Sequence, residues 1–225
     1  MKICVLIPAF NESKSIGPII EALIKKGVPV LIVDDGSTDG TGRMAIDYGV
    51  NLIRHQKNMG KGASLKDGFD YIAGHDLYDA VIVMDADGQH SVEDIDKFLD
   101  IARKGSADIV VGNRMGHAEN MPRVRYYTNK FLSFMLSGIC RQVIPDTQCG
   151  YRLLTRKALK DIRLDSSNFE TESEMLIVAS RKGFKIMSVP IETVYRGEKS
   201  EINPVTDTIR FAKLIAKYTF DRHSK

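Results

Sequence analysis
The stretch with the densest chemistry is Val81-Ile82-Val83-Met84-Asp85-Ala86-Asp87-Gly88-Gln89-His90. Four apolar residues in a row are enough for a buried strand and too few for a helix. The run then breaks into Asp-Ala-Asp-Gly. Alternate side chains of an extended chain share a side, which puts Asp85 and Asp87 together. Two carboxylates at the end of a buried strand repel unless a cation lies between them. Oxygen ligands of this kind suit Mg²⁺ or Mn²⁺, which often bridge carboxylates to a substrate phosphate. A polar turn uses the same residue types, so by itself the pair reads equally as metal ligands or as a turn.

The elements that must position this pair follow from periodicity. Lys2 to Ile7 predicts a buried strand stopped by Pro8. Ile16, Ile19, Ile20, Leu23 and Ile24 then share one face of a helix that Gly27 ends as a left-handed cap. Val28 to Val33 predicts a second strand, stopped by Asp34-Asp35-Gly36-Ser37-Thr38-Asp39-Gly40. A short helix from Thr41 to Tyr48 leads to a third strand, Val50 to Ile53. The loop Asn58-Met59-Gly60-Lys61-Gly62 opens a helix through Leu65, Phe69 and Ile72, and Val81 to Met84 is the fourth strand. Ser91 with Asp94 resembles a capping box before a helix with Ile95, Phe98, Leu99 and Ala102 inside. Asp108 to Val111 is the fifth strand.

Strands alternating with helices predict an α/β fold with a mostly parallel sheet and right-handed connections. Ligands of such sheets bind at the carboxyl ends of the strands. Pro8 to Glu12, Asp34 to Gly36 and Asp85 to Gln89 all fall at strand ends, so a parallel sheet gathers them around one crevice.

The second half is less regular. A loop over 112–123 precedes a long helix from Val124 to Val143, expected to loosen near Gly138. A polar turn, Pro145 to Gly150, leads to a strand at Tyr151 to Leu154. Thr171 to Lys182 predicts a helix, and Lys185 to Val189 a strand ended by Pro190. After a loop at Gly197 to Ser200, Asn203 and Pro204 form an N-cap and N1 pair for a last helix. No linker, repeat or low-complexity tract interrupts the chain, which predicts one domain over 1–225.

Length and composition bound the rest. The 225 residues, 43% hydrophobic and 27% charged, can bury a sizeable core. A net charge of +3 is too mild to imply nucleic acid, and no aromatics are interleaved with basic residues as a stacking platform would need. Cys4, Cys140 and Cys149 are sparse and odd in number, which predicts reduced thiols and a cytoplasmic setting. Ile3 to Ile7 is too short for a signal peptide. The longest apolar run, Phe131 to Cys140, is about half of what a membrane span needs. The expectation is a cytoplasmic chain that reaches lipid peripherally on the cytoplasmic membrane face or borrows a membrane partner protein.

Three strand-end motifs thus stand in order: Ile7-Pro8-Ala9-Phe10-Asn11-Glu12, Val33-Asp34-Asp35-Gly36-Ser37-Thr38-Asp39-Gly40-Thr41 and Asp85-Ala86-Asp87-Gly88-Gln89-His90. Together they resemble the family 2 glycosyltransferases, which have the GT-A fold. Val111-Gly112-Asn113-Arg114, Asp146-Thr147-Gln148-Cys149-Gly150-Tyr151-Arg152 and Phe169-Glu170-Thr171-Glu172-Ser173-Glu174-Met175 resemble the branch with dolichyl-phosphate mannose synthase and other polyprenyl-phosphate sugar transferases. Asn113 stands where that branch usually has Ser, a departure that leaves Arg114 in place.

The resemblance implies an inverting transferase with a nucleotide-sugar donor of GDP-mannose or UDP-glucose type and a Mg²⁺ or Mn²⁺ cofactor. It implies a nucleotide-binding half over 1–112 and an acceptor half over 113–225. Pro8, Ala9, Phe10, Asn11 and Glu12 would line the nucleotide, Phe10 against the base. Asp35 would contact the base, with Asp34 and Gly36 in its surroundings. Asp85 and Asp87 would hold the metal, Gln89 completing the shell and Ala86 beside the donor.

Chemistry narrows the acceptor. A sugar–diphosphate bond breaks with negative charge on the leaving group, which a divalent ion neutralises without moving a proton. Gly60-Lys61-Gly62 brings backbone N–H groups and Lys61 toward the phosphates without the Walker spacing. A hydroxyl acceptor needs a carboxylate base. A lipid phosphate is already anionic and needs cations to position it. Arg114, Arg123, Arg125 and Lys130 cluster after the fifth strand, and Arg196 and Lys199 lie in a late loop. The preferred reading places a polyprenyl phosphate against Arg114, Arg125, Arg196 and Lys199, with Asp87, Arg114 and Glu172 as the catalytic residues. The competing reading is a saccharide or protein hydroxyl acceptor with Glu172 or Glu174 as base. A sugar-nucleotide pyrophosphorylase would want a Gly-rich basic loop where Pro8 to Glu12 stand. Lipid access is signalled by the 131–140 run and by a last helix with Val205, Ile209, Ala212, Ile215, Ala216 and Thr219 on one side and basic residues beyond.

Overall fold
The computed structural model describes residues 1–118, 121–168, 170–192 and 204–220. Its strands are β1 (Ile3–Ala9), β2 (Val30–Asp34), β3 (Asn51–Arg54), β4 (Ala80–Val83), β5 (Ile109–Asn113), β6 (Arg152–Thr155) and β7 (Ile186–Pro190). They form one seven-stranded sheet in the order β3-β2-β1-β4-β6-β5-β7. Every pair is parallel except those of β6, which is antiparallel to β4 and β5. Every residue of β1, β2 and β4 is buried, with no in–out alternation. Helices cover both faces of such a sheet, so its central strands are apolar throughout.

The helices are α1 (Ile16–Lys25), α2 (Thr41–Asp47), α3 (Lys61–Gly74), α4 (Ile95–Arg103), α5 (Arg123–Cys140), α6 (Arg156–Asp161), α7 (Glu170–Arg181) and α8 (Pro204–Phe220). α1 buries Ile16, Ile19, Ile20 and Leu23, whereas Ile24, expected on the same face, lies at its edge and is exposed. Gly27 ends it at φ 69°, the left-handed cap expected. The three cysteines are buried and unpaired. Burial pushes the Cys4 and Cys149 thiols up to about 12, so they behave as core side chains at neutral pH.

Several local expectations are corrected. Pro8 does not stop β1, which runs on to Ala9. Leu6 bonds toward β4, accepting from Met84, and Ala9 bonds toward β2, accepting from Asp35. Pro8 shares the parity of Leu6, so its missing N–H faces β4 beyond the last pairing at Leu6–Val83. Ser91 caps a single 3₁₀ turn, Val92–Asp94, by accepting from Glu93 N at 3.2 Å, in place of a box with Asp94. α5 runs unbroken through Gly138 and ends at Arg141 in the left-handed region, φ 52°. Gly138 lies in the exposed turn of that helix, where i→i−4 bonding outweighs its intrinsic cost. α6 was not foreseen; Thr155 caps it by accepting from Ala158 N. On α8 the packed stripe is Phe211, Leu214, Ile215 and Tyr218, while Ala212 and Ala216 face solvent. Ile215 packs as expected and Ala212 and Ala216 do not, because small alanines pass equally well for a core face or an exposed one. Asn203 and the side chains of Val205, Ile209 and Thr219 lie outside the described residues.

α8 is held to α7 through Glu174, which is fully buried. Its carboxylate accepts from Asp165 N (3.1 Å), Ser166 N (2.9 Å), Ser166 Oγ (2.6 Å) and Tyr218 OH (2.8 Å). Glu174→Ala strands these donors in the interior and should lower the free energy of unfolding by about 3 kcal/mol. Urea denaturation checks this.

Candidate active site
The loops after β1 and β2 are built against each other, as register demands: Ala9 pairs with Asp34. Asn11 adopts φ 55°, a left-handed conformation that Asn tolerates better than most residues. Its N–H donates to Ser37 Oγ at 2.9 Å, and its side-chain oxygen accepts from Thr38 N at 2.9 Å. Glu12 N donates to Thr41 Oγ1 at 2.8 Å, and Ser13 N to Asp39 Oδ2 at 2.9 Å. Pro8 and Ala9 are buried beneath these contacts, and Phe10 is half-buried.

Asp34 and Asp35 are buried and shape the loop from below. Asp34 accepts from Ser37 N at 2.9 Å and pairs with Arg54 Nε at 3.1 Å. Asp35 accepts from Met59 N and Gly60 N, both at 2.8 Å, and holds His55 Nδ1 at 2.7 Å. The other ring nitrogen, Nε2, lies 2.9 Å from Asp67. Burial lowers the proton affinity of His55, but the two carboxylates outweigh it and raise its pKa overall. Gly36 has φ 77°, and a Cβ there would lie 2.5 Å from the Lys57 backbone. Only glycine permits this approach, which brings the β2 and β3 loops together. Gly36, Ser37, Thr38, Arg54, His55 and Gln56 line a hollow of about 480 Å³ on this edge.

At the third strand end, β4 stops at Val83 and the chain turns at Ala86-Asp87. Alternation along an extended strand therefore does not relate the two aspartates; a turn lies between them. Asp87 Oδ1 accepts from Gln89 N at 2.9 Å, with Gly88 at φ 76°. Asp85 Oδ1 meets Lys61 Nζ at 2.6 Å, and the same ammonium lies 2.7 Å from Glu172 Oε1. Asp85 Oδ2 is backed by Gly150, where a Cβ would come within 2.5 Å, and lies 3.8 Å from His90 Nε2. Burial favours the neutral acid of Asp85, but Lys61 and then His90 and Arg114 win, holding it well below the usual carboxylate range. Lys61 is in turn held above its usual range against desolvation by Asp85 and Glu172.

Asp85, Asp87 and the Gln89 amide offer hard oxygens of the sort Mg²⁺ or Mn²⁺ takes. One cation is already present here, the Lys61 ammonium between the Asp85 and Glu172 carboxylates. Among the described residues no group of three His, Cys, Asp or Glu side chains is arranged to hold an ion. The residues fit a metal that takes part of its shell from a ligand's phosphates.

The downstream motifs are joined by buried arginines. Arg114 is buried, and its fork faces Asp146: Nε–Oδ2 is 2.7 Å and Nη2–Oδ1 is 3.0 Å. The fork expected to face an acceptor phosphate is thus spent on a carboxylate with no solvent exposure, and Arg114 reaches the crevice through its charge on Asp85. Arg152 donates to Thr147 O, Cys149 O and Glu172 O, fastening the turn before β6 to the start of α7. Arg125 is half-buried in the first turn of α5. Arg196 and Lys199, expected at an acceptor phosphate, lie outside the described residues, as does Phe169. Glu174 is no base, since four donors in the α7–α8 packing surround it. Glu172 stays at the crevice with 12% side-chain exposure. His55, Asp146 and Arg152 were given no role beforehand. Asp146 and Arg152 lay in a motif already singled out, and His55 carried no signal of its own.

α5 presents an apolar stripe to solvent: Val124 (81% exposed), Tyr127 (66%), Phe131 (61%) and Phe134 (78%). Beside it runs a groove of about 680 Å³ whose lining includes Phe134, Met135, Val143, Lys130 and Arg141. Met115 and Pro145 also line it, and these adjoin Arg114 and Asp146 in the chain.

The chain matches the family model described as glycosyl transferase family 2 over residues 4–163. It is similar to the UDP-N-acetylglucosamine–dolichyl-phosphate N-acetylglucosaminyltransferase of Methanococcus voltae, 32% identical over 218 residues, covering 86% of this chain and 86% of that one. It is similar to the undecaprenyl-phosphate mannosyltransferase of Micrococcus luteus, 32% identical over 214 residues, covering 87% and 85%. Its fold matches glucosyl-3-phosphoglycerate synthase from Mycobacterium tuberculosis, solved with Mn²⁺, uridine diphosphate and phosphoglyceric acid. That match has a TM-score of 0.69 at 18% identity and covers 98% of this chain and 78% of that one. It shows the GT-A arrangement expected from the motifs.

One pH dependence follows from the loop contacts. Burial pushes Asp39 up, but donors from Thr41 and Ser13 outweigh it and hold the carboxyl down to about 2. A depressed carboxylate stabilises the fold above its unfolded value, about 3.9, and loses this as pH falls through the folded value. Wild type should exceed Asp39→Ala in denaturation midpoint at pH 6, with the gap closing between about pH 4 and pH 2.

Proposed function
The chain belongs to glycosyl transferase family 2, and from that premise we propose that it transfers a sugar, with inversion, from a nucleoside-diphospho-sugar to a polyprenyl or dolichyl phosphate. The observation that carries this reading is the charge cluster of Asp85, Lys61 and Glu172 on the sheet edge that also bears the β1 and β2 loops. Phe10 to Glu12 and Gly36 form the nucleotide wall, over the buried Pro8 and Ala9. Asp34 and Asp35 serve it by setting the loop shape. Asp85, Asp87 and the Gln89 amide would hold Mg²⁺ or Mn²⁺, whose chemistry here is to neutralise charge on the leaving diphosphate, typically worth several kcal/mol. The Mn²⁺ and uridine diphosphate of the similar solved structure support this assignment.

The named relatives differ in sugar and agree in acceptor class, a lipid phosphate. GDP-mannose and UDP-glucose types therefore both stay open as donors. A lipid phosphate arrives ionised, so no side chain need take its proton. Arg114, its fork held by Asp146, acts on the crevice only through its charge on Asp85, and Arg125, Arg196 and Lys199 are the candidates for direct contact. Glu172 orients Lys61. The α5 stripe, with Arg123, Lys130 and Arg141 on the same helix or at its end, suits an anionic membrane surface. Among the described residues no helix is long and apolar enough to cross a membrane. The expected membrane partner protein finds no support among the relatives or in the fold.

Two outcomes are expected. In a thermal-shift screen of nucleotide sugars with Mn²⁺, the true donor should raise the melting temperature by mass action. The metal-dependent part of that rise should vanish in Asp87→Ala. In sedimentation with phosphatidylglycerol vesicles at low salt, wild type should pellet. Phe131→Ser with Phe134→Ser should weaken partitioning about tenfold or more, because each Phe contributes roughly 1.5–3 kcal/mol on burial. Equal pelleting of both forms would remove α5 as the contact face.

A further inference from the structure
Lys61 is placed with unusual care for a side chain that reads as a phosphate neighbour. It is the first residue of α3, between two glycines that no other residue can replace. A Cβ on Gly60 would lie 2.6 Å from Ser167 O, and one on Gly62 would lie 2.1 Å from Thr171 Oγ1. The backbone is thus pressed against the start of α7, and the ammonium reaches between Asp85 and Glu172 at 2.6 Å and 2.7 Å. Both Asp85 oxygens lie against Gly150, Oδ2 also faces His90 Nε2 at 3.8 Å, and Oδ1 holds Lys61. An ion ligated there would stand about 2.0–2.2 Å from the oxygen, on ground the ammonium already holds.

We propose that Lys61 is a resident cation that closes the Asp85 metal position in the unloaded protein and is displaced onto the incoming diphosphate, so that divalent ion and donor load together. This rests on the metal reading above. The physical basis is simple. Lys61 gives both carboxylates an ion-pair partner without a metal, and a divalent ion arriving alone must push the ammonium off Asp85, leaving it Glu172 alone. A nucleoside diphosphate gives that ammonium a new anionic partner and gives the ion two more oxygens. Lysine suits the exchange, since its point charge sits on a flexible stem.

The test measures Mn²⁺ binding by the loss of the free-ion electron paramagnetic resonance signal, with wild type, Lys61→Met, Lys61→Gln and Lys61→Arg. Each is measured alone and with UDP or GDP, after circular dichroism melting has established that it folds. In wild type and Lys61→Arg, UDP or GDP should strengthen Mn²⁺ binding strongly. Lys61→Met and Lys61→Gln should bind Mn²⁺ alone at least about tenfold tighter than wild type, since close charges at an effective dielectric near 20 interact by more than that factor requires. Mn²⁺ alone should also raise their melting temperatures, and the extra effect of UDP or GDP should shrink. Unchanged or weaker Mn²⁺ affinity in the neutral variants would overturn the placeholder role while leaving the metal site intact. If no form binds Mn²⁺ even with UDP and GDP, the metal reading falls and this role with it.

Discussion
A carboxylate removed from water needs a donor or a cation against it, and this demand organises the carboxyl edge of the sheet. Asp34 meets Arg54, Asp35 meets His55 and two backbone N–H groups, Asp85 meets Lys61, and Asp146 meets Arg114. Each partner comes from a different segment, so satisfying the charges also ties the segments together. The glycines belong to the same account. Gly36, Gly60, Gly62 and Gly150 stand where backbone must come closer than a Cβ allows. Charge compensation and close backbone approach together make a crevice that is polar and shaped.

The sheet makes this economical. Parallel pairing of β2, β1 and β4 delivers three loops to one edge without further instruction, because parallel strands end on the same side. β6 is the exception, and its reversal is useful. It runs out of the crevice, so the turn before it, with Asp146 and Gly150, stands at the same edge as the loops that leave β4 and β5. The second half of the chain thereby closes the site from the far side. Arg152 then holds α7, and with it Glu172, against that turn. The crevice is thus assembled from both halves of the chain on one scaffold.

The outer face of α5 follows a different physics. α5 buries Asn129, Ser133, Leu136 and Cys140, while Val124, Tyr127, Phe131 and Phe134 face outward. Its inner face mixes polar and apolar residues while its outer face carries large apolar ones, against the usual hydrophobic sorting.

What the sequence determined by itself is local and periodic: β1 to β4 as apolar runs, the inner faces of α1 and α4, the αL end at Gly27, and the three strand-end motifs that converge. These are legible because short apolar runs and helical spacing depend only on near neighbours. Asp85-Ala86-Asp87 could be read as a candidate ion site, whereas the turn between its carboxylates could not be seen. The tertiary structure alone decided who compensates whom. Arg114 could not be matched to Asp146, nor Lys61 to Asp85 and Glu172, because such pairs are set by chain packing and carry no spacing in sequence. Pro8 inside a strand, Gly138 inside a helix and Glu174 in the α7–α8 packing were misread for the same reason. Each residue's local tendency was overruled by which side of the sheet, helix or core its polar atoms finally faced.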